Sequence, residues 1–413
     1  MKILLINNTH YVGGGADRVY INTANLLRDN GHEVIFFSTK HENNLKTDSS
    51  TYFINKKDYR DANFIEKIKG VKEYLYNDET IQKLNELIKD KKPDIAHLHL
   101  FYGGLSSSVL KTLKLNNIPI IKTVHDYRLL CPANSFLNSK NEICEKCKPK
   151  KYYNCSLNKC SENNLFYSSI LAMEGYLRRI IDPLNYINHF IFVSDFSKQK
   201  HIEYDKRYKN KSSHLYNFTT IPPKNKIIKG EYFLFFGRIS KEKGIHTLLK
   251  AFSVLNIKIK VVGDGPIKNE LKEKYKSENI EFLGHKSGVE LTEILKKANF
   301  VIVPSEWYEN NPMTIIEAYS LGKPVIGAKI GGIPEIVINK QTGFLFESRN
   351  VNELIEIINF SNSIDLIGYE KLSKNARDFA LFNFSEEKNY QHLINVYTRI
   401  ISENEKNNRN FNS

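Results

Sequence analysis

Two acids, Glu309 and Glu317, and two cations, Arg238 and Lys243, carry the most specific chemistry in this chain. Around the acids the sequence reads PSEWYENNPMTIIEA from Pro304 to Ala318. The pattern predicts a short apolar strand, a turn, and a helix with Asn311 at its N-cap. Pro312 would take the first helical position, where its missing N–H costs nothing. The free backbone N–H groups of the segment Asn310 to Thr314 would then attract an anion. Glu317 lies one turn further on and shares a helix face with Met313, so both acids can look into one cleft. Arg238 closes the run FLFFGR directly after Gly237, and Lys243 precedes Gly244 and a helix. Fixed cations there would stabilise the negative charge that grows on a departing diphosphate, with no proton moved. Two ordinary surface cations on a basic protein would read the same way. An anion-attracting helix start flanked by carboxylates suits a nucleotide diphosphate joined to a group rich in hydroxyls, which describes an activated sugar.

Other candidates stand at the ends of apolar runs. Gly13, Gly14 and Gly15 follow the first strand and allow a backbone to approach a phosphate or sugar ring, or they form a plain tight turn. A dinucleotide fold would show G-x-G-x-x-G and an acid ending the second strand. Here the spacing differs, and Glu33 begins that strand, which counts against a nicotinamide cofactor. His125 ends IIKTVHD; it reaches a reacting sugar, or it packs at a domain edge while Asp126 caps a turn.

The elements that must hold these groups alternate. Six candidate strands in the first half and five in the second are separated by amphipathic helical patterns. Short apolar strands alternating with helices predict parallel sheets covered on both faces. The expected fold class is α/β, with two doubly wound Rossmann-like domains facing a cleft. The expected boundaries are 1–220 for an N-terminal domain containing a Cys-rich insert at 131–160, and 221–385 for a C-terminal domain. The remainder, 386–413, reads as a helix with a polar, unstructured tail from Ser402. The linker falls at Thr219–Gly230, where TTIPPKNKIIKG breaks both periodicities.

Composition bounds the rest. A chain of 413 residues exceeds one ordinary core. No apolar run approaches the ~18 residues of a membrane span, and KILLI is too short for a signal segment, so a cytoplasmic location is the expectation. The formal net charge of +14 fits attraction to anionic lipid headgroups or a polyanionic acceptor, or simply solvated lysines. The segment Leu165–Ile181 carries Phe166, Ile170, Leu177 and Ile181 at helical spacing. That pattern predicts a helix packed on the first sheet, with a membrane-surface helix as the alternative. In the insert, Cys144-x2-Cys147 and Cys155-x4-Cys160 have the spacing of a tetrahedral structural zinc site, with four reduced thiols as the alternative.

The E-x7-E pair of Glu309 and Glu317, the following SLGKPVIGAKIGGIPEIV and the N-terminal KILLINNTHYVGGGADR resemble the retaining glycosyltransferases of family 4. The resemblance runs to about Phe384 and implies a GT-B fold, in which the last helix, within 386–413, crosses back to the N-terminal domain. It also implies transfer from a nucleotide-diphosphate sugar, UDP or GDP, to a glycan or lipid-linked glycan acceptor in cell-surface polysaccharide synthesis. By resemblance, Arg238 and Lys243 hold the pyrophosphate, Glu309 touches the transferred sugar, and Glu317 bonds the donor ribose. Gly263, Asp264 and Gly265 of GDGP and His285 of LGHKS would frame the nucleobase. No cofactor is needed for catalysis on this reading, because no D-x-D pair offers a metal site and the two cations replace it. The alternatives are a nucleotide-sugar epimerase of the same fold and a basic, zinc-containing nucleic-acid-binding protein. The scattered lysines argue against nucleic acid as a partner.

Overall fold

The computed structural model describes residues 1–55, 64–223 and 228–412. Two six-stranded sheets organise the chain, and every pairing within them is parallel. The first contains β1 (Lys2–Ile6), β2 (Glu33–Phe37), β3 (Ile95–Leu98), β4 (Ile120–Val124), β5 (His189–Phe192) and β6 (Ser212–His214), in the order β2-β1-β3-β4-β5-β6. The second contains β7 (Tyr232–Phe236), β8 (Ile259–Val262), β9 (Ile280–Gly284), β10 (Ala298–Val303), β11 (Val325–Ala328) and β12 (Gly343–Phe346). Their order is β12-β11-β10-β7-β8-β9. Strands such as IIKTV and YFLFF are buried along their whole length, as parallel strands covered on both faces must be.

Each sheet carries apolar clusters on its two faces. Leu4, Ile6 and Leu98 face one side of the first sheet, and Ile3, Leu5 and Ile121 the other. Phe233, Phe235 and Ile302 divide from Leu234, Phe236 and Val301 in the same way across the second. The direction of strand order reverses between β1 and β3 and again between β7 and β10. In open α/β sheets the ligand crevice lies beyond the carboxyl ends of the strands at such a switch. The two crevices bring together the loops after β1 and β3 in one domain and those after β7 and β10 in the other.

Three expectations are corrected. The strand β12 is a four-residue edge strand that its short apolar run GFLF does not announce. The last helix runs Glu386–Asn412, so the tail expected to be polar and unstructured from Ser402 is helical. Once nucleated by packing, each added residue needs only one more backbone bond. That packing is onto the first domain, where Leu393, Val396, Tyr397 and Ile400 join the cluster of Ile3 and Leu5. The Tyr397 hydroxyl stands 2.6 Å from His97 Nδ1. Third, the helix Leu165–Ile180 leaves Phe166 exposed and buries Ser168, Ala172, Glu174, Gly175 and Arg178 instead. Within the expected linker, residues 224–227 lie outside the described residues, as does part of the lysine cluster Lys224 to Lys229.

Candidate active site

Beyond β7 the chain turns at Gly237 and Arg238, passes a single 3-10 turn, Lys241–Lys243, and enters the helix Ile245–Phe252. Gly237 has φ +145°, and Gly263, which follows β8, has φ +142°. A Cβ on Gly263 would stand 1.9 Å from the Gly237 carbonyl oxygen, so the two strand ends meet only because that residue has no side chain. Arg238 is exposed and makes no hydrogen bond or ion pair with a described residue.

Lys243 is engaged. Its Nζ lies 2.7 Å from Glu309 Oε1 and 5.0 Å from the centre of the Trp307 ring. Ser305 Oγ donates to the same carboxylate oxygen at 2.7 Å. Burial would lift the Glu309 carboxyl, but the Lys243 charge and the bonds from Lys243 and Ser305 outweigh it and hold the pKa below the ordinary value. Glu309 is therefore a buried, ionised acid fixed by a cation from the turn that follows the neighbouring strand of the switch.

Glu317 has a different partner. In the helix Met313–Ser320 its carboxylate accepts from Arg18, which lies in the helix Gly15–Asp29 of the first domain. Burial raises its pKa, opposed by the Arg18 charge and hydrogen bond. Gly15 lies close by, since a Cβ there would stand 3.6 Å from Met313 Cγ. Gly14 and Gly15 are exposed at the head of that helix, and Gly14 has extended backbone that any residue could adopt.

The expected capping is corrected by one residue. Pro312 occupies the N-cap and Met313 begins the helix. Asn311 cannot cap, because its Oδ1 accepts from the Asn217 backbone N–H at 2.7 Å and its carbonyl accepts from Asn217 Nδ2 at 3.0 Å. Asn310 Nδ2 donates to the His125 carbonyl at 2.7 Å, while its buried Oδ1 has no partner among the described residues. Thr314 Oγ1 lies 3.4 Å from the Phe236 carbonyl at the end of β7. The segment expected to meet phosphate and sugar thus also stitches the second domain to the first.

His125 follows β4, with its Nε2 2.9 Å from His99 Nδ1 and the two rings stacked 5.1 Å apart. Burial, aided by Lys122, holds its pKa near 3, so it is neutral at physiological pH. Lys122 donates to the His99 carbonyl at 2.7 Å, and burial lowers its pKa to about 8. On the far strands, Asp264 bonds the Gly265 N–H at 2.8 Å and Lys268 at 2.9 Å, and His285 is exposed at the end of β9.

Three cross-domain residues went unread in the sequence: Arg18, Glu335 and Tyr308. Glu335 accepts from the backbone N–H groups of Asp195 and Phe196, capping a helix of the opposite domain. Tyr308 places its ring 5.0 Å from Phe196 and 5.8 Å from Phe136, and its hydroxyl donates to Glu145 at 3.0 Å. Glu335 was visible only as the acid of GGIPEIV, next to a helix start.

The cysteines of the expected zinc set lie near one another in the insert. All five thiols are free, and Cys147, Cys155 and Cys160 pack with Tyr152 and Ala172, while Cys144 is half-exposed. Among the described residues no group of three or more His, Cys, Asp or Glu side chains is placed to hold a metal ion. Burial pushes the Cys131 thiol up to about 11 and, with neighbouring thiols, Cys147 to about 12.

Two doubly wound domains meeting at their switch points, with a buried acid–cation pair on one side and a histidine pair on the other, define a glycosyltransferase of the GT-B type. Residues 13–219 match Glycosyltransferase Family 4 and residues 217–379 match Glycosyl transferases group 1, and the chain belongs to that family. It is 26% identical over 408 residues to an uncharacterized glycosyltransferase of Methanocaldococcus jannaschii, covering 97% of this chain and 99% of the relative. An uncharacterized 42.6 kDa protein in the cps region of Klebsiella pneumoniae is 26% identical over 358 residues, covering 81% and 87%. The crystal structure of Anabaena HepE in complex with UDP-glucose shares the fold. Its TM-score is 0.68 at 17% identity, over 97% of this chain and 100% of that one.

Proposed function

We propose that this glycosyltransferase moves a sugar from a nucleotide diphosphate to a glycan or lipid-linked glycan, with retention and without a catalytic metal. The carrying observation is the β7–β10 crevice. Arg238 is a cation that bonds no described residue at one strand end, and Lys243 is clamped to buried Glu309 beside the other. Arg238 meets the diphosphate as charge gathers on it, and Lys243 serves both the phosphate and the acid. Glu309 accepts from hydroxyls of the transferred sugar, and Glu317 from those of the ribose. Each such bond to a carboxylate contributes about 1.5–3 kcal/mol. Neutral His125 lines the opposite wall as a hydrogen-bonding contact for the sugar. With no general base assigned, the leaving phosphate takes the acceptor proton on the face it departs from.

The UDP-glucose complex of Anabaena HepE supports a nucleotide-sugar donor, and the cps-region relative supports a role in surface polysaccharide. The acceptor belongs to the first domain. There an open cavity of about 500 Å³ beyond β2 is lined by Lys40, His41, Asn44 and Lys46. Tyr11, from the loop after β1, stacks on His41 at 4.5 Å. A thermal-shift panel of UDP-, GDP-, ADP- and CMP-sugars tests the donor assignment, since a ligand that binds only the native state raises the melting temperature. A rise with one base is expected; no rise with any of them overturns the assignment.

A further inference from the structure

We propose that the outward face of the helix Leu165–Ile180, with the insert turns beside it, docks this protein on an anionic lipid surface. The inference does not rest on the donor or acceptor assignment. The helix is inverted relative to an ordinary surface helix. Its inward face is made of the small residues Ser168, Ala172 and Gly175 and of charged Glu174 and Arg178. Gly175 lets the helix close onto Tyr152, where a Cβ would meet the ring at 2.8 Å. Glu174 is satisfied inside by Arg128 and, at 3.2 Å, by Arg178. With Glu174 and Arg178 turned inward and Ile170, Leu171 and Leu177 half-buried, four apolar side chains are left in water: Leu165 is 56% exposed, Phe166 50%, Met173 51% and Ile180 80%. At 100° per residue these four fall within roughly 100° of arc, one continuous stripe.

The stripe extends onto the neighbouring turn. The Tyr176 hydroxyl accepts from the Tyr153 N–H at 3.3 Å, and Tyr153 and Leu157 are 49% and 72% exposed. A contiguous apolar patch of this kind marks a contact face. Charge selects the partner. From Lys146 to Ile180 the chain has seven cations and two acids; Glu174 and Arg178 pair with each other inside, and Lys148 and Lys150 pair with Glu203 and Asp205. Lys146, Lys151, Lys159 and Arg179 are exposed and form no ion pair with a described residue. A second copy meeting this face about a two-fold axis would set those same cations against each other, whereas anionic headgroups neutralise them while the stripe enters the acyl boundary. Among the described residues no helix is long and apolar enough to cross a membrane, so docking rather than spanning is the mode available to this surface. The helix is one bond from the acceptor wall, because Arg128, which holds Glu174, follows the turn after His125.

The test is co-sedimentation of the full chain with vesicles of phosphatidylcholine alone and of phosphatidylcholine mixed with phosphatidylglycerol. Binding to the mixed vesicles is expected, with roughly tenfold or greater loss in the triple variant Phe166→Ser, Met173→Ser, Ile180→Ser, which alters only exposed side chains. Arg179→Glu should weaken binding without abolishing it. Circular dichroism and the donor thermal shift should match the parent protein, which separates failure of docking from failure of the fold or the donor assignment. No sedimentation with either vesicle overturns the proposal, as does equal binding by the triple variant. A dimer in sedimentation equilibrium that the triple variant loses would assign the face to a second copy instead.

Discussion

Glu309 and Glu317 sit in one fifteen-residue stretch, yet the fold gives them opposite surroundings. Glu309 is clamped inside its own domain by Lys243 and Ser305, and its charge is favoured. Glu317 reaches out of its domain to Arg18, and its charge is disfavoured by burial. The first acid belongs to a site that one domain builds alone; the second reports whether the other domain is in place. A GT-B cleft needs both kinds of contact. Chemistry requires rigid charge at the leaving group, while substrate exchange requires contacts weak enough to open.

The largest effect should come from breaking the internal clamp. Lys243→Met leaves Glu309 buried without its cation, a loss of about 3 kcal/mol or more in stability. Turnover should fall by at least ~10²-fold, because the same ammonium faces the diphosphate. Activity assays paired with thermal melts check both. Unchanged melting would show that Glu309 is not held by this pair. Arg238→Ala comes next. This side chain makes no bond to a described residue, so the melting temperature should stay put while kcat falls ~10²-fold, about 2.7 kcal/mol of transition-state stabilisation. A parallel drop in melting temperature would make it structural.

The internal clamp is also the half of the comparison that the sequence displays. Parallel strands buried on both faces are apolar runs, so the ends of FLFFGR and of Phe300 to Val303 are visible, and the residues beyond them fall into the crevice. Asn311 was misread because its side chain is taken by Asn217, a partner remote in the chain that no local pattern contains. Arg18 and Glu335 were unread for the same reason: each is one charged residue on a helix or turn, and only the closing of two domains gives it a partner. The helix Leu165–Ile180 shows the converse failure. Its apolar periodicity was real, but Arg128 and Tyr152 draw the small and charged face inward. Periodicity says that a helix has an apolar face, not which way the face turns.

Breaking the external contact should cost less. Arg18→Ala and Glu317→Gln should each raise the donor KM several-fold, with kcat changed little, because they act on closure and ribose binding. Arg18 is 39% exposed, so solvent screening holds the coupling in a double-mutant cycle to about 1 kcal/mol. Additive effects would show that the two side chains act independently in solution.

The smallest effect is the sharpest test of the contrast, because the two acids should answer a charge deletion with opposite signs. The lowered pKa of Glu309 means that its ionised form stabilises the fold above the ordinary glutamate value of 4.5, and that this stability is lost as pH falls through the native pKa. The raised pKa of Glu317 means that its proton stabilises the fold below 4.5, and that this contribution is lost as pH rises through the native value. At neutral pH, Glu309→Gln should therefore lower the melting temperature and flatten its decline on acidification below pH 4.5. Glu317→Gln removes a charge that burial disfavours, so it should leave the melting temperature unchanged or slightly raised, even though it loses the bond to Arg18. Melting curves of both variants across the acid range measure this directly. If the two substitutions shifted stability in the same direction by the same amount, the acids would be equivalent surface carboxylates, and the division between an internal clamp and a cross-domain contact would fail.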